Sequence, residues 1–243
     1  MEQLPERGRI MPVFLELFAG TRSMSKAFER HGWETYSVEW NKKFKDISLY
    51  ADISTLTAEQ VINLCGRKPD VIWASPDCTS YSIAGIGFHR RKIRGEFIAI
   101  SDYAKFCDNC NIHLLGLIKE LNPRLFFIEN PVGAMRKMPF MVDFQKAGYA
   151  RRYTVTYCQY GDFRQKPTDI WTNHTDPHFK PKCKKNASCH EKAPRHSDTG
   201  TQGRRNKVDR ARIPDELCEY IVKLAEDRQT VYYPKITKFA EVE

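Results

Sequence analysis

An α/β domain built on a mostly parallel sheet with an antiparallel edge is the fold this sequence predicts, and three observations carry it. The first 150 residues alternate short apolar runs with helix-period stretches, as strand–helix units in series do. The opening run, Val13 to Phe18, leads into Ala19-Gly20-Thr21, a turn where glycine gives the backbone freedom, and then into a helix and a second strand. A chain of 243 residues has room for one full domain and a modest appendage, not several domains.

Element by element, 13–18 reads as a buried strand, Arg22 to His31 as a helix ended by Gly32, and Thr35 to Glu39 as a strand with an acidic end. Helices follow at Thr57 to Cys65, Asp102 to Glu120 and Phe140 to Lys146, with strands at Val71 to Ala74 and Leu125 to Ile128 between them. Tyr153 to Tyr157 and Asp169 to Trp171 are strands close together in sequence, the expected antiparallel edge. A last helix, Pro214 to Asp227, opens with Pro-Asp-Glu, residues suited to a helix amino end. In such a sheet, ligands bind beyond the carboxyl ends of the strands.

Hydrophobic residues at 41% and charged residues at 28% permit a packed core and exclude wholesale disorder. No apolar run approaches the ~20 residues of a bilayer span, and Met1 to Ile10 is charged, so a soluble, cytoplasmic and monomeric protein is expected. The net charge of +9 is concentrated in one segment. Residues 1–150 hold 20 basic and 17 acidic side chains, 151–212 hold 15 and 6, and 213–243 hold 4 and 7. A localised basic segment points to a polyanion, because each neutralised phosphate releases counterions.

Eight scattered cysteines without a secretion signal read as reduced thiols. Cys107 and Cys110, three apart on a helix, lack a second ligand pair and read as packing residues. Cys183, Cys189, His190 and His196 form a better ligand set for zinc in the basic segment, although their spacing matches no standard zinc module.

The turn after the first strand keeps only Gly20 of a G-x-G-x-x-G pattern, followed by Thr21, Arg22 and Ser23, which disfavours a nicotinamide cofactor. Glu39 lies nineteen residues beyond Gly20, near the ~20-residue offset at which an acid reaches ribose hydroxyls. A cofactor carrying a carboxylate in place of a pyrophosphate needs fewer glycines, and S-adenosylmethionine fits. Trp40 is a candidate to stack on its adenine and Asp52 to accept from the adenine amino group. At the end of another strand, Ser75-Pro76-Asp77-Cys78 offers a thiol, with Arg90, Arg91, Lys92 and Arg94 in the loop beyond. Ile128-Glu129-Asn130-Pro131 ends the next strand, so Cys78 and Glu129 are expected at one crevice.

These segments resemble the DNA (cytosine-5)-methyltransferases, most closely the small enzymes of phages and bacteria with their roles in restriction and modification. Phe14-Leu-Glu-Leu-Phe18-Ala-Gly20 resembles the cofactor motif, Ser75-Pro76-Asp77-Cys78 the Pro-Cys motif, and Glu129-Asn130 the Glu-Asn motif. Gln159 to Lys166 resembles the later basic motif, and Arg212 to Leu217 a weak form of the last one. The resemblance implies a Rossmann-like S-adenosylmethionine-dependent fold in residues 1–172, a small basic recognition segment in 173–210, and a carboxyl-terminal helix and tail in 211–243 that packs back on the catalytic part. It implies that Cys78 adds to carbon 6 of a flipped cytosine and that Glu129 acts at ring nitrogen 3. Phe18, Gly20, Thr21, Arg22, Ser23, Glu39, Trp40, Asp52, Ile53 and Pro76 would surround the cofactor. Ser82, Arg90, Arg91, Lys92, Arg94, Lys184, Lys185, Thr201, Gln202, Arg204 and Arg205 would meet nucleic acid.

The departures from the pattern are specific. Arg22 and Ser23 stand for glycines, Asp77 for a proline and Thr79 for a glutamine. Aligning Tyr160-Gly161 with the basic motif leaves one arginine missing, with Arg164 or Lys166 to substitute. An extra carboxylate at Asp77 should disfavour the Cys78 thiolate unless it points away or the loop arginines outweigh it. Only about forty residues separate Trp171 from the last motif, too few for a full target-recognition domain. Two other readings stay open: the same chemistry on RNA, and a catalytically inactive nucleic-acid-binding module.

Overall fold

The computed structural model describes residues 11–184, 187–191 and 206–227. Its centre is a seven-stranded sheet in the order β3-β2-β1-β4-β7-β9-β8. These strands are β1 (Val13–Leu17), β2 (Glu34–Glu39), β3 (Leu49–Tyr50), β4 (Val71–Ala74), β7 (Leu125–Pro131), β8 (Arg151–Thr156) and β9 (Pro167–Thr172). The first five in that order run parallel, and β9 pairs antiparallel with both β7 and β8. The expected parallel sheet with an antiparallel edge is therefore the observed one.

Alternation along each central strand divides the core in two, because successive side chains point to opposite faces. Leu15, Leu17, Ile72, Phe126 and Ile128 face one cluster, shared with helices α2 (Ala58–Cys65), α4 (Asp102–Leu121) and α5 (Pro139–Lys146). Phe14, Trp73, Leu125 and Phe127 face the other, shared with α1 (Ser23–Arg30) and α7 (Asp215–Glu226). Phe14 stacks on Phe28 of α1 at 3.8 Å between ring centroids, and Leu217, Ile221 and Val222 of α7 complete that layer. Arg30 and His31 both reach Glu219, fastening α1 to α7. The helix ends carry local signals: Thr57 and Gln60 form a capping box on α2, and Ser101 caps α4 through the Ala104 amide.

The loop expected between Cys78 and α4 has structure of its own. A single helical turn, α3 (Ile86–His89), leads into a hairpin of β5 (Arg90–Ile93) and β6 (Glu96–Ala99). Its turn residues, Arg94 and Gly95, both have positive φ, 49° and 92°, as a two-residue turn matched to strand twist requires. Short helix α6 (Lys207–Ala211) precedes α7.

The α1 amino end is capped from the sheet. Arg22 precedes the helix in a left-handed conformation without a side-chain cap, and Glu16 of β1 accepts instead from the amides of Met24 at 3.3 Å and Ser25 at 2.7 Å. Burial pushes the Glu16 carboxyl up to about 7, against the pull of those hydrogen bonds and of Arg22. A carboxyl raised in the folded state contributes stability that is complete below its unfolded value and is lost as pH rises through its folded value. Thermal denaturation from pH 5 to 8 should show a decline of roughly 3 kcal/mol from this group. Glu16→Gln should flatten that slope, and an unchanged slope would remove Glu16 as its source.

Candidate active site

Strands β4 and β7 are parallel neighbours with Ala74 opposite Ile128, so Cys78, four residues past β4, and Glu129, near the carboxyl end of β7, lie at the same sheet edge. The Asn130 side-chain amide donates to the Pro76 carbonyl at 2.9 Å in a buried setting, tying the Cys78 turn to the end of β7. The amides of Tyr81 and Ser82 donate to the Cys78 carbonyl at 3.0 and 2.8 Å, which closes the turn after the thiol. A Cβ at Gly133 would lie 2.3 Å from the Tyr81 carbonyl oxygen. The backbone after Glu129 thus approaches the backbone after Cys78 more closely than a side chain allows.

Arg90 holds this turn from behind and does not present itself to phosphate, contrary to the sequence expectation. It is 3% exposed, and its guanidinium donates to the Ser80 carbonyl and hydroxyl and, in a fork, to Asp108 at 2.9 and 2.7 Å. Its charge is committed, and it lies 4.3 Å from the Tyr81 ring centroid. Tyr81 in turn donates to Asp108 and accepts from Asn111, anchoring the Cys78 segment to α4. Its hairpin neighbours Arg91, Lys92 and Arg94 are exposed. Ser82 is half-buried and accepts from the Gly85 amide at 3.2 Å.

Cys78 is half-buried, and burial pushes its thiol up to about 11. Lys166 pulls it down, while Asp77 and Glu129 push it further up. Asp77 therefore acts on the thiol as its sequence position suggested, and the opposing cation is Lys166, not the loop arginines. Lys166 precedes β9 with φ of 25°. Its Nζ lies 3.8 Å from Glu129 Oε1 and 4.5 Å from the Tyr157 ring centroid, and it donates to the Arg210 carbonyl. Both charged side chains are 7% exposed. Tyr157 donates to Glu129 Oε1 at 2.9 Å.

Of the two candidates for the missing arginine, Arg164 is committed elsewhere. At 3% exposed, it pairs with Asp162 and donates to the carbonyls of Arg210 and Arg212, locking the basic-motif loop to the segment before α7. Lys166 is the one that meets Glu129. The shared region of Cys78, Glu129 and Lys166 brings together a thiol, an acid–base group and a cation that favours the thiolate.

At the cofactor end, Phe18 and Gly20 have positive φ, 56° and 48°, and a Cβ at Gly20 would meet the Phe44 ring at 3.7 Å and the Phe18 carbonyl oxygen at 4.0 Å. Buried Glu39 accepts from the Gly20 amide at 3.1 Å and the Asn41 amide at 2.9 Å. Each oxygen keeps a further lone pair for a hydroxyl. Trp40 next to it is 69% exposed, a free aromatic face at a strand end. Asp52 is exposed, holding Ser54 through Oδ1, and Ile53 is buried behind it. Pro76 is buried. Thr21 and Ser23 line a cleft of about 520 Å³ with Gly161, Arg164, Ile213 and Pro214, which joins the first and last motifs. Arg22 does not open into it freely, since its guanidinium pairs with Glu29. This set, a backbone turn at a helix amino end, a buried acid at a strand end, an aromatic face and a second acid, fits an adenosyl group carrying a carboxylate.

In the basic segment, Cys183, Cys189 and His190 come together as expected, and Cys158 from the turn after β8 joins them, a residue the sequence did not single out as a ligand. Lys184 is exposed. The other expected residues, Lys185, His196, Thr201, Gln202, Arg204 and Arg205, lie outside the described residues. No helix among the described residues is long and apolar enough to cross a membrane.

The chain is 30% identical over 235 residues to the "Probable DNA (cytosine-5)-methyltransferase" of Frog virus 3 (isolate Goorha), covering 86% of this chain and 98% of the relative. Among solved structures it is similar to a prophage-encoded protein of E. coli described as a DNA modification methyltransferase, with TM-score 0.52 and 19% identity over 72% of this chain. The Entamoeba histolytica methyltransferase EhMeth gives 0.50 and 14% over 68%. The chain spans about half the length of these two solved proteins, 52% and 53%, and at such identities they speak for the fold. The family model for C-5 cytosine-specific DNA methylases matches residues 13–166, from β1 to Lys166, and with the viral relative it shows that this chain belongs to that family.

Proposed function

We propose that this chain transfers a methyl group from S-adenosylmethionine to carbon 5 of cytosine in DNA through a covalent Cys78 adduct. The observation that carries the reading is the Asn130–Pro76 hydrogen bond, which joins the Cys78 turn to the strand end bearing Glu129, with Lys166 at 3.8 Å from that carboxylate.

Carbon 5 of cytosine is a weak nucleophile. Addition of the Cys78 thiolate to carbon 6 makes it enamine-like, and Glu129, taking up a proton from solvent as the base enters, donates it or a hydrogen bond to nitrogen 3 and stabilises the charge that builds on the ring. Lys166 favours the thiolate before attack and balances the Glu129 carboxylate. S-adenosylmethionine would supply an electrophilic sulfonium methyl and depart as S-adenosylhomocysteine, and the Phe18–Ser23 turn, Glu39, Trp40, Asp52 and Ile53 would hold it. Carbon 5 takes the methyl, and loss of its proton to water then frees Cys78 by elimination.

A duplex base must leave its stack to reach Cys78, at a cost of a few kcal/mol that protein contacts offset. Exposed Arg91, Lys92 and Arg94 are suited to the flanking phosphates, and the basic segment 173–210 takes the place of a larger recognition domain. The protein works as a cytoplasmic monomer in this reading.

Duplex DNA containing 5-fluorocytosine tests it. With S-adenosylmethionine, the fluorine blocks the final elimination, so a denaturant-stable protein–DNA adduct should form through Cys78. Intact DNA binding without an adduct would leave a binding module on this scaffold, and an adduct only with fluorocytosine RNA would move the substrate to RNA.

A further inference from the structure

We propose that Cys158, Cys183, Cys189 and His190 hold a structural zinc ion that staples the basic segment to the loop carrying Lys166. Their ligand atoms all lie within 4.8 Å of one another. Cys189 Sγ is 3.7 Å from Cys158 Sγ and 3.7 Å from His190 Nδ1, and Cys183 Sγ is 3.4 Å from His190 Nδ1. A tetrahedral ion with Zn–S of ~2.3 Å and Zn–N of ~2.0 Å separates its ligands by about 3.5–3.8 Å. The Cys183–Cys189 pair, at 3.1 Å, needs only a small spread to fit. Three thiolates and one imidazole, with no carboxylate among them, select zinc over calcium or magnesium.

The ligands come from two parts of the chain. Cys158 sits in a 3-10 turn, Tyr157–Tyr160, directly after β8, and the other three lie 25 to 32 residues later. Hydrogen bonds run across the same seam. The Cys183 amide donates to Thr156 Oγ1 at 2.9 Å, the Lys180 amide to the Tyr160 hydroxyl at 2.9 Å, and the Glu191 amide to the Phe163 carbonyl at 2.8 Å. The Gln159 side-chain amide donates to Cys189 Sγ at 3.3 Å, the kind of outer contact that steadies a metal thiolate. Residues 180–184 and 187–191 contribute no buried side chain, so apolar packing alone does not secure them.

Binding exchanges three S–H protons for three Zn–S bonds and one Zn–N bond, leaving the centre with a net charge of −1. The stapled turn continues through Gly161 and Arg164 to Lys166. In that role, which rests on the proposed function, the ion is a positioning device for the catalytic lysine and takes no part in the chemistry.

The full-length protein, purified without added metal, should carry about one zinc per chain by elemental analysis. Exchange for Co2+ should give the visible bands of a tetrahedral thiolate centre. Cys183→Ser should lower zinc content to under about a tenth of an equivalent, whereas Cys110→Ser, at a buried helix position, should leave it at one. His190→Cys should retain the metal as a four-thiolate site, with a shifted Co2+ spectrum, which tests the ligand set even if a serine variant folds poorly. A metal-free wild-type protein that takes up no Co2+ would overturn the proposal, as would a Cys183–Cys189 disulfide seen as a mass two hydrogens lower. Metal content is read without any methylation assay, so its failure is distinct from failure of the proposed activity.

Discussion

Cys78→Ser is expected to reduce methyl transfer by on the order of a thousandfold or more while changing DNA affinity by less than about twofold. The serine hydroxyl is too weakly acidic to supply the anion that addition to carbon 6 requires. Affinity should survive, because the proposed phosphate contacts are assigned to exposed Arg91, Lys92 and Arg94, and because the turn is held by its backbone bonds and by Arg90. The thiol itself can be followed without DNA. Burial raises it to about 11, so its thiolate fraction, and its alkylation rate by iodoacetamide, should climb about tenfold per pH unit from 7 to 9. Asp77→Asn should speed that reaction and Lys166→Met slow it, since these groups shift the thiol in opposite directions. Peptide mapping separates Cys78 from Cys183 and Cys189. A transfer-competent Cys78→Ser protein would end the covalent reading.

Much of this candidate site could be read from the chain, because Cys78 and Glu129 lie at or just past the carboxyl ends of buried strands. Val71–Ala74 and Leu125–Ile128 are apolar runs of strand length, and parallel neighbours in a doubly wound sheet discharge their next residues into one crevice. That reasoning brought Cys78 and Glu129 to the same edge. What it missed depends on partners distant in sequence. Arg90 looked like one more loop cation, yet Asp108, eighteen residues on, claims it. Nothing in a basic loop distinguishes the arginine that turns inward from Arg91, Lys92 and Arg94, which stay outside. The hairpin did leave a trace, since Arg94-Gly95 between Arg90–Ile93 and Glu96–Ala99 is a two-residue turn between strand-length segments. Cys158 left none, because its place beside Cys183, Cys189 and His190 exists only once the chain 25 residues later folds back onto it.

Glu129→Gln should lower kcat by about 10²–10³ with little change in KM for DNA, because the carboxyl is needed most as charge develops on the ring. The substitution keeps an acceptor for the Tyr157 hydroxyl and nearly the same volume, so folding should be preserved. It removes the partner of Lys166 from a region where both side chains are 7% exposed. An isolated buried ammonium is costly, and the loss of Glu129 also removes a charge that pushes the Cys78 thiol up. Two effects of opposite sign thus meet in one variant: Cys78 should alkylate faster than in the wild type while turnover falls. Lys166→Met in the Glu129→Gln background should slow alkylation again and relieve the buried charge, and the two substitutions should be strongly non-additive, as for groups in contact. If Glu129→Gln instead slows alkylation and turnover together, the carboxylate acts on the thiol rather than on the base, and the division of labour between Glu129 and Lys166 proposed here is wrong.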